Sequence, residues 1–231
     1  MLLEQLRIDV LEANLDLVRQ GLVLHTFGNA SGISRKDGLV AIKPSGVAYS
    51  DLKPADIVLT DLEGNVVDSA LKPSSDLHTH LLLYKNFPAI GGVAHTHSEY
   101  ATAWAQAGCE IPCYGTTHAD YFHGAIPVTE ELTAEEIAGD YVLNTGHAIV
   151  RRMQGLEILS VPGILVRGHA PFCWGKSPRE AAHHAGVLEN VAKLALMTRL
   201  LNPNAEPISQ ALLDRHFLRK HGAQSTYGQK S

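Results

Sequence analysis

Two His-x-His pairs stand out among the thirteen histidines of this 231-residue chain: His78/His80 and His95/His97. A pair of imidazoles can hold one divalent ion only if both rings reach it. His78 and His80 follow a helix start, and residues two apart on a helix point about 200° from each other, so that pair is read as structural. His95 and His97 close an apolar run, Gly91-Gly92-Val93-Ala94, that reads as a strand. Residues two apart on a strand share a face. The two glycines allow close packing beneath them. A catalytic Zn²⁺ takes about three protein ligands and keeps one position open. His169, at a second strand end, and Asp76, at a helix N-terminus, are candidates for the further donors, though singly they read as a loop residue and a helix cap. Mn²⁺ and Co²⁺ accept the same donor types.

Three polar turns offer backbone N–H groups, hydroxyls and small side chains to an anion: Gly28-Asn29, Ser45-Gly46 and Ser74-Ser75. Ser74-Ser75 also precedes a helix, whose N-terminal dipole favours a phosphate. Lys43 adds a positive charge beside the second turn. The sequence has no Walker or Rossmann glycine pattern, which argues against a nucleotide. The Asp-His that follows His-x-His in metallo-β-lactamase-like hydrolases is absent, as is His-Glu-x-x-His.

The elements that must position these groups follow from periodicity. Residues 3–20 carry apolar positions at helical spacing, and Gly21 ends that helix. Leu39–Ile42 and Ile57–Thr60 read as strands, and Glu63-Gly64-Asn65 as a hairpin turn before Val66-Val67. Ser75 or Asp76 is expected to cap a helix through Tyr84. A helix through Trp104 follows the His95/His97 strand. Ile164–Val166 and Phe172–Trp174 read as hairpin partners around Gly168-His169. Ser177-Pro178-Arg179-Glu180 is a capping box with proline at the first helical position, opening a helix to about Leu201. A last helix spans Ile208 to about His221. The pattern predicts one α/β domain over residues 1–231, a mixed, largely antiparallel sheet covered by helices.

Composition fits that class, with 45% hydrophobic and 19% charged residues and a net charge of −5. The chain has no basic run to bind nucleic acid and no apolar stretch of about 18 residues to span a membrane. Cys109, Cys113 and Cys173 lack Cys-x-x-Cys spacing and read as reduced thiols. The N-terminus mixes Glu4, Asp9 and Glu12 among its apolar residues, so a cytoplasmic location is expected.

Seven blocks, in order, carry a resemblance across nearly the whole chain. They are Phe27-Gly28-Asn29, Ile42-Lys43-Pro44-Ser45-Gly46-Val47, Lys72-Pro73-Ser74-Ser75-Asp76, His95-Thr96-His97-Ser98, the run from Gly115 to Phe122, Pro171 to Lys176, and the tail from Leu218 through Tyr227-Gly228-Gln229. The chain resembles the class II aldolase/adducin family, and within it the pentulose-phosphate 4-epimerases. The resemblance implies an α/β/α class II aldolase-like fold and interconversion of L-ribulose 5-phosphate and D-xylulose 5-phosphate by C3–C4 cleavage and re-addition. It implies His95, His97 and His169 as Zn²⁺ ligands with Asp76 at the same centre. Gly28, Asn29, Ser45, Gly46, Ser74 and Ser75 take the substrate positions. Asp120 and Tyr227 would be the acid/base pair, with His216 near the substrate. A homotetramer is implied, with each active site between subunits. Ala170, Arg167, Leu77-His78 and a tail with one aromatic before Gly228 depart from the family pattern, which leaves room for a shifted substrate preference. The alternatives are a class II sugar-phosphate aldolase of the L-fuculose or L-rhamnulose type, and an adducin-like binding protein without catalysis. Asp76 and the Thr117-His118-Ala119-Asp120-Tyr121 run favour the epimerase over the aldolase.

Overall fold

A computed structural model of the chain describes residues 1–222. Its centre is a seven-stranded sheet in the order β4-β3-β2-β1-β5-β7-β6. The strands are β1 (Asn29–Ser34), β2 (Leu39–Ile42), β3 (Val58–Asp61), β4 (Val66–Asp68), β5 (Gly92–His95), β6 (Gly163–Leu165) and β7 (Pro171–Gly175). Every pairing of these strands is antiparallel. The mixed character read from the sequence shrinks to one parallel bridge, Val128 to Leu165.

Helices cover both faces, and β1 shows which lies where. Neighbouring strand residues point to opposite sides. The Ser31 hydroxyl meets His80 and Tyr84 of α2 (Leu77–Asn86), whereas a side chain at Gly32 would meet Pro178, Leu6 and Val10. One face therefore carries α2, backed by α6 (Tyr141–Met153). The other carries α1 (Glu4–Arg19) and α7 (Pro178–Leu201), packed against each other. The remaining helices are α3 (Glu99–Ala107), α4 (Thr116–Ala119), α5 (Ala134–Ala138) and α8 (Gln210–His221).

Several local expectations hold. Ser177 caps α7 by accepting from the Glu180 N–H, and Pro178 is the first helical residue. The box is displaced by one residue, because the Glu180 carboxylate reaches the N–H of Lys176 rather than that of Ser177. Gly91 and Gly92 are needed, since side-chain carbons there would overlap the backbone of Lys176, Ser177 and Pro178. The helices α4, α5 and α6 went unread in sequence. The signal for α6 was Asp140, whose side chain caps it through the Leu143 N–H, ahead of an amphipathic run ending in Arg151-Arg152. Among the described residues no helix is long and apolar enough to cross a membrane.

Candidate metal centre

The site is built on a row running across the middle of the sheet. Asn29 of β1 lies opposite His95 of β5, and His95 lies opposite Phe172 of β7. The Phe172 ring stacks on His95 at 4.1 Å between centroids. Strand β5 ends at His95, and two residues on, the chain brings the His97 ring to 4.9 Å from the His95 ring, centroid to centroid. His169 arrives from the β6–β7 turn, where Gly168 takes a left-handed conformation at φ 70°. Centroids of the three imidazoles stand 4.9, 5.0 and 5.0 Å apart.

The protonation pattern of this triangle suits a cation. Carbonyl oxygens only accept, so the contact of 2.9 Å between His95 Nδ1 and the Pro171 oxygen puts the proton on Nδ1. Nε2 of His95 is then a bare lone pair, facing His97 Nε2 at 3.1 Å. Two nitrogens bound tetrahedrally at ~2.0–2.1 Å stand about 3.3 Å apart. Nδ1 of His169 is buried with no protein partner. Possible ligand atoms of His95, His97 and His169 all lie within 4.8 Å of one another. Burial lowers the pKa of His95 and of His97, and it takes His169 down to about 4, helped by the other two rings. All three are neutral near pH 7, the form that binds metal. The residues fit a divalent cation.

Asp76 sits at the N-cap position of α2 but does not cap it; no backbone N–H of the helix bonds its side chain. The carboxylate turns into the site instead, where Oδ2 accepts from the Asn29 amide at 2.6 Å and lies 3.5 Å from the Ser74 hydroxyl. Burial pushes its pKa up. The His95, His80 and His169 rings and the Asn29 bond outweigh that, so the group stays ionised. Asn29 also donates to Ser74 Oγ at 3.1 Å, leaving its own Oδ1 buried and without a partner in the protein.

The three polar turns meet beside these groups. Gly28 needs its left-handed φ of 81°, and an added side-chain carbon would come 2.8 Å from Val23 Cγ1 and 2.9 Å from the His95 oxygen. The Lys43–Ser45 and Lys72–Ser74 segments pair through backbone bonds, Ser45 N–H to the Lys72 oxygen and Ser74 N–H to the Lys43 oxygen. A cavity of about 300 Å³ is lined by Gly28, Asn29, Lys43, Ser45, Gly46, Ser74, Ser75, Asp76, His95, His97 and His169, together with Thr26, Phe27 and Pro44. All eleven metal and substrate positions read from the sequence thus share one pocket. Lys43 is almost wholly buried, and its ammonium donates to the Val47 oxygen and stands over the Tyr49 ring. Sequence reasoning missed Tyr49, whose hydroxyl donates to the carbonyls of Phe27 and Gly28 and so ties two turns together. Its clue was the Val47–Tyr49 continuation of the second turn.

Asp120 and His216 form a separate group that does not line the pocket. The Asp120 carboxylate accepts from His216 Nδ1 at 2.9 Å and from Arg219 at 2.9 and 3.0 Å, with Lys220 at 3.4 Å. Burial raises its pKa, but Arg219, His216 and Lys220 more than reverse that. Tyr227 lies outside the described residues.

With its imidazoles neutral and its carboxylate ionised, the centre is set up for a divalent cation, and together with the fold it defines a metal-dependent α/β enzyme. Residues 8–196 match the model of the class II aldolase and adducin N-terminal domain. The chain belongs to the class II aldolase and adducin family. It is 53% identical over 228 residues to L-ribulose-5-phosphate 4-epimerase UlaF of Salmonella paratyphi C (strain RKS4594), covering 99% of this chain and 100% of that protein. The protein of the same name from Salmonella typhi is 52% identical over the same spans. Among solved structures, an L-fuculose 1-phosphate aldolase superposes with a TM-score of 0.77 at 24% identity, over 92% of this chain and 94% of that one.

Proposed function

We propose that this chain is an L-ribulose-5-phosphate 4-epimerase, interconverting L-ribulose 5-phosphate and D-xylulose 5-phosphate. The observation that carries the reading is one pocket holding both a neutral three-histidine centre and three anion-suited turns. That pairing suits carbon–carbon cleavage of a phosphorylated ketose. The names of the full-length relatives select epimerisation within that chemistry.

The C4 hydrogen of a ketopentose phosphate is not acidic, so inversion proceeds by breaking the C3–C4 bond. That gives an enediolate and glycolaldehyde phosphate, and bonding to the aldehyde's other face restores the chain inverted. A divalent ion, Zn²⁺ by its donor set with Mn²⁺ or Co²⁺ as substitutes, supplies Lewis-acid stabilisation of the enediolate when bound. His95, His97 and His169 hold it, with Asp76 as the carboxylate donor fixed by Asn29. The turns at Gly28, Ser45-Gly46 and Ser74-Ser75 retain the phosphate, so the aldehyde turns over without leaving. Lys43 stiffens the second turn from beneath.

Two proton donors must serve the two C4 alkoxides, one on each face. Asp120 and Tyr227 take these roles, and His216 orients Asp120. Since the Asp120 group shares no residue with the pocket, each active site of a homotetramer is completed by a neighbouring copy. The test is turnover of L-ribulose 5-phosphate to D-xylulose 5-phosphate by metal-loaded protein. Sustained release of free glycolaldehyde phosphate instead would make the chain an aldolase. Asp120→Asn and Tyr227→Phe that both leave epimerisation at the parent rate, with metal still bound, would remove the acid/base assignment.

A further inference from the structure

His80 lies one helical turn after Asp76 on α2 and is fully buried. Its Nδ1 is 2.7 Å from Ser31 Oγ, and Ser31 Oγ is 2.8 Å from the Tyr84 hydroxyl. Tyr84 is itself fully buried, and burial pushes its pKa far up, so the phenol keeps its proton. A buried phenol O–H needs an acceptor, and Ser31 Oγ is the one within reach among the described side chains. Ser31 then turns its own hydrogen to His80 Nδ1. This direction makes Nδ1 an acceptor and leaves the proton of the neutral ring on Nε2.

That Nε2 is buried with no partner in the protein. A buried N–H left unpaired costs on the order of 1–3 kcal/mol, so it is a donor waiting for an acceptor. Two acceptors belong to the same site, the Asp76 carboxylate one helical turn earlier on α2 and the His95 ring, which shares the Phe172 face with His80. Of these two, the carboxylate is the anion. The His95 lone pair is already turned to His97. Phe172, which stacks on His95, also meets the His80 ring edge-on at 5.9 Å between centroids, so one aromatic wall fixes both imidazoles.

We infer that His80 is a positioning residue, held in its Nε2–H form by the Tyr84–Ser31 chain as an open donor that the Asp76 carboxylate, one helical turn away, takes up when it turns to the metal. Asn29 already holds the carboxylate from the β1 side; the His80 donor, unpaired in this structure, is placed to hold it from within α2. Losing a supporting bond of this kind typically weakens metal binding 10–100-fold. The inference rests on Asp76 serving at the metal centre.

The experiment needs no variant at its first step. Nitrogen-15 NMR of the imidazoles, on metal-free and Zn²⁺-loaded full-length protein, reads the proton position of His80 directly. A neutral ring protonated on Nε2 is expected in both states; one protonated on Nδ1 overturns the inference. The second step uses isosteric amides and Co²⁺ alone, followed by its visible absorption. A glutamine amide occupies the Nε2 position of histidine and an asparagine amide the Nδ1 position. H80Q should bind Co²⁺ within about 3-fold of the parent, while H80N should bind at least 10-fold more weakly. A merely structural His80 would give two variants that lose thermal stability alike and keep the parent affinity, which overturns the inference. Asp76→Asn checks the underlying reading separately. Parent Co²⁺ affinity in that variant removes Asp76 from the centre, whereas a D76N loss with a normal H80N overturns the role of His80 alone.

Discussion

The Nε2 atoms of His95 and His97 face each other across 3.1 Å, with no proton on the His95 side. A proton on His97 Nε2 lets that nitrogen donate to the His95 lone pair, and a cation that displaces this proton gains both nitrogens as ligands. The centre should therefore bind one divalent ion per chain. Treatment with a chelator should abolish turnover of L-ribulose 5-phosphate, and stoichiometric Zn²⁺, Mn²⁺ or Co²⁺ should restore it. His97→Ala, at the exposed corner of the triangle, should lower metal affinity at least 10²-fold and leave the fold intact, as read by titration and circular dichroism. Full activity in metal-stripped protein would refute the metal reading.

Asn29 ties β1 to the start of α2 through bonds to Ser74 and Asp76. Asn29→Ala leaves Asp76 short of a strong donor. It should reduce kcat/KM by roughly 10–100-fold and stability by about 1–2 kcal/mol. Steady-state kinetics and urea denaturation read the two effects independently.

Gly28 has neither the conformation nor the space for a side chain. Gly28→Ala should cost about 1–3 kcal/mol from the left-handed φ alone, and the contacts with Val23 and the His95 carbonyl add to it. Gly46 is a useful contrast, with a φ of 70° and nothing within 4 Å of the added carbon. Gly46→Ala should be the milder change in a thermal melt, by the absence of overlap.

His118 is buried away from the pocket, with Nε2 donating to the Gly124 oxygen, and burial lowers its pKa to about 4. Its ordinary value is 6.5, so between these limits the unfolded chain binds the proton and the folded chain does not. Stability should fall as pH drops through that window, by about 2 kcal/mol from this residue at pH 5. Urea denaturation at pH 7 and pH 5 should show a smaller fall in H118Q than in the parent. An equal fall in both would place the effect elsewhere.

The metal pair was legible because a strand shows its faces at period two, and His95 with His97 obeys that period beyond the last ladder bond. His169 was legible as the tip of a hairpin. Asp76 was ambiguous, since a carboxylate before a helix reads equally as a cap; only the position of Asn29 across the sheet decides it. His80 read as packing because its partners, Ser31 and Tyr84, converge through tertiary structure. Lys43 announced a charge for a ligand, yet the fold turns its ammonium onto backbone carbonyls and an aromatic face. The strand directions were largely legible too, because the hairpin-like strand pairs point to an antiparallel sheet; what the structure removes is the mixed part, left as the single Val128–Leu165 bridge.

The three imidazoles come from two separate pieces of chain, β5 with its extension and the β6–β7 turn. During synthesis His95 and His97 leave the ribosome well before His169, and the sheet that aligns them cannot close until β7 pairs with β5. The complete three-imidazole triangle therefore exists only in the closed sheet, and affinity for a divalent ion should report on whether that closure has taken place.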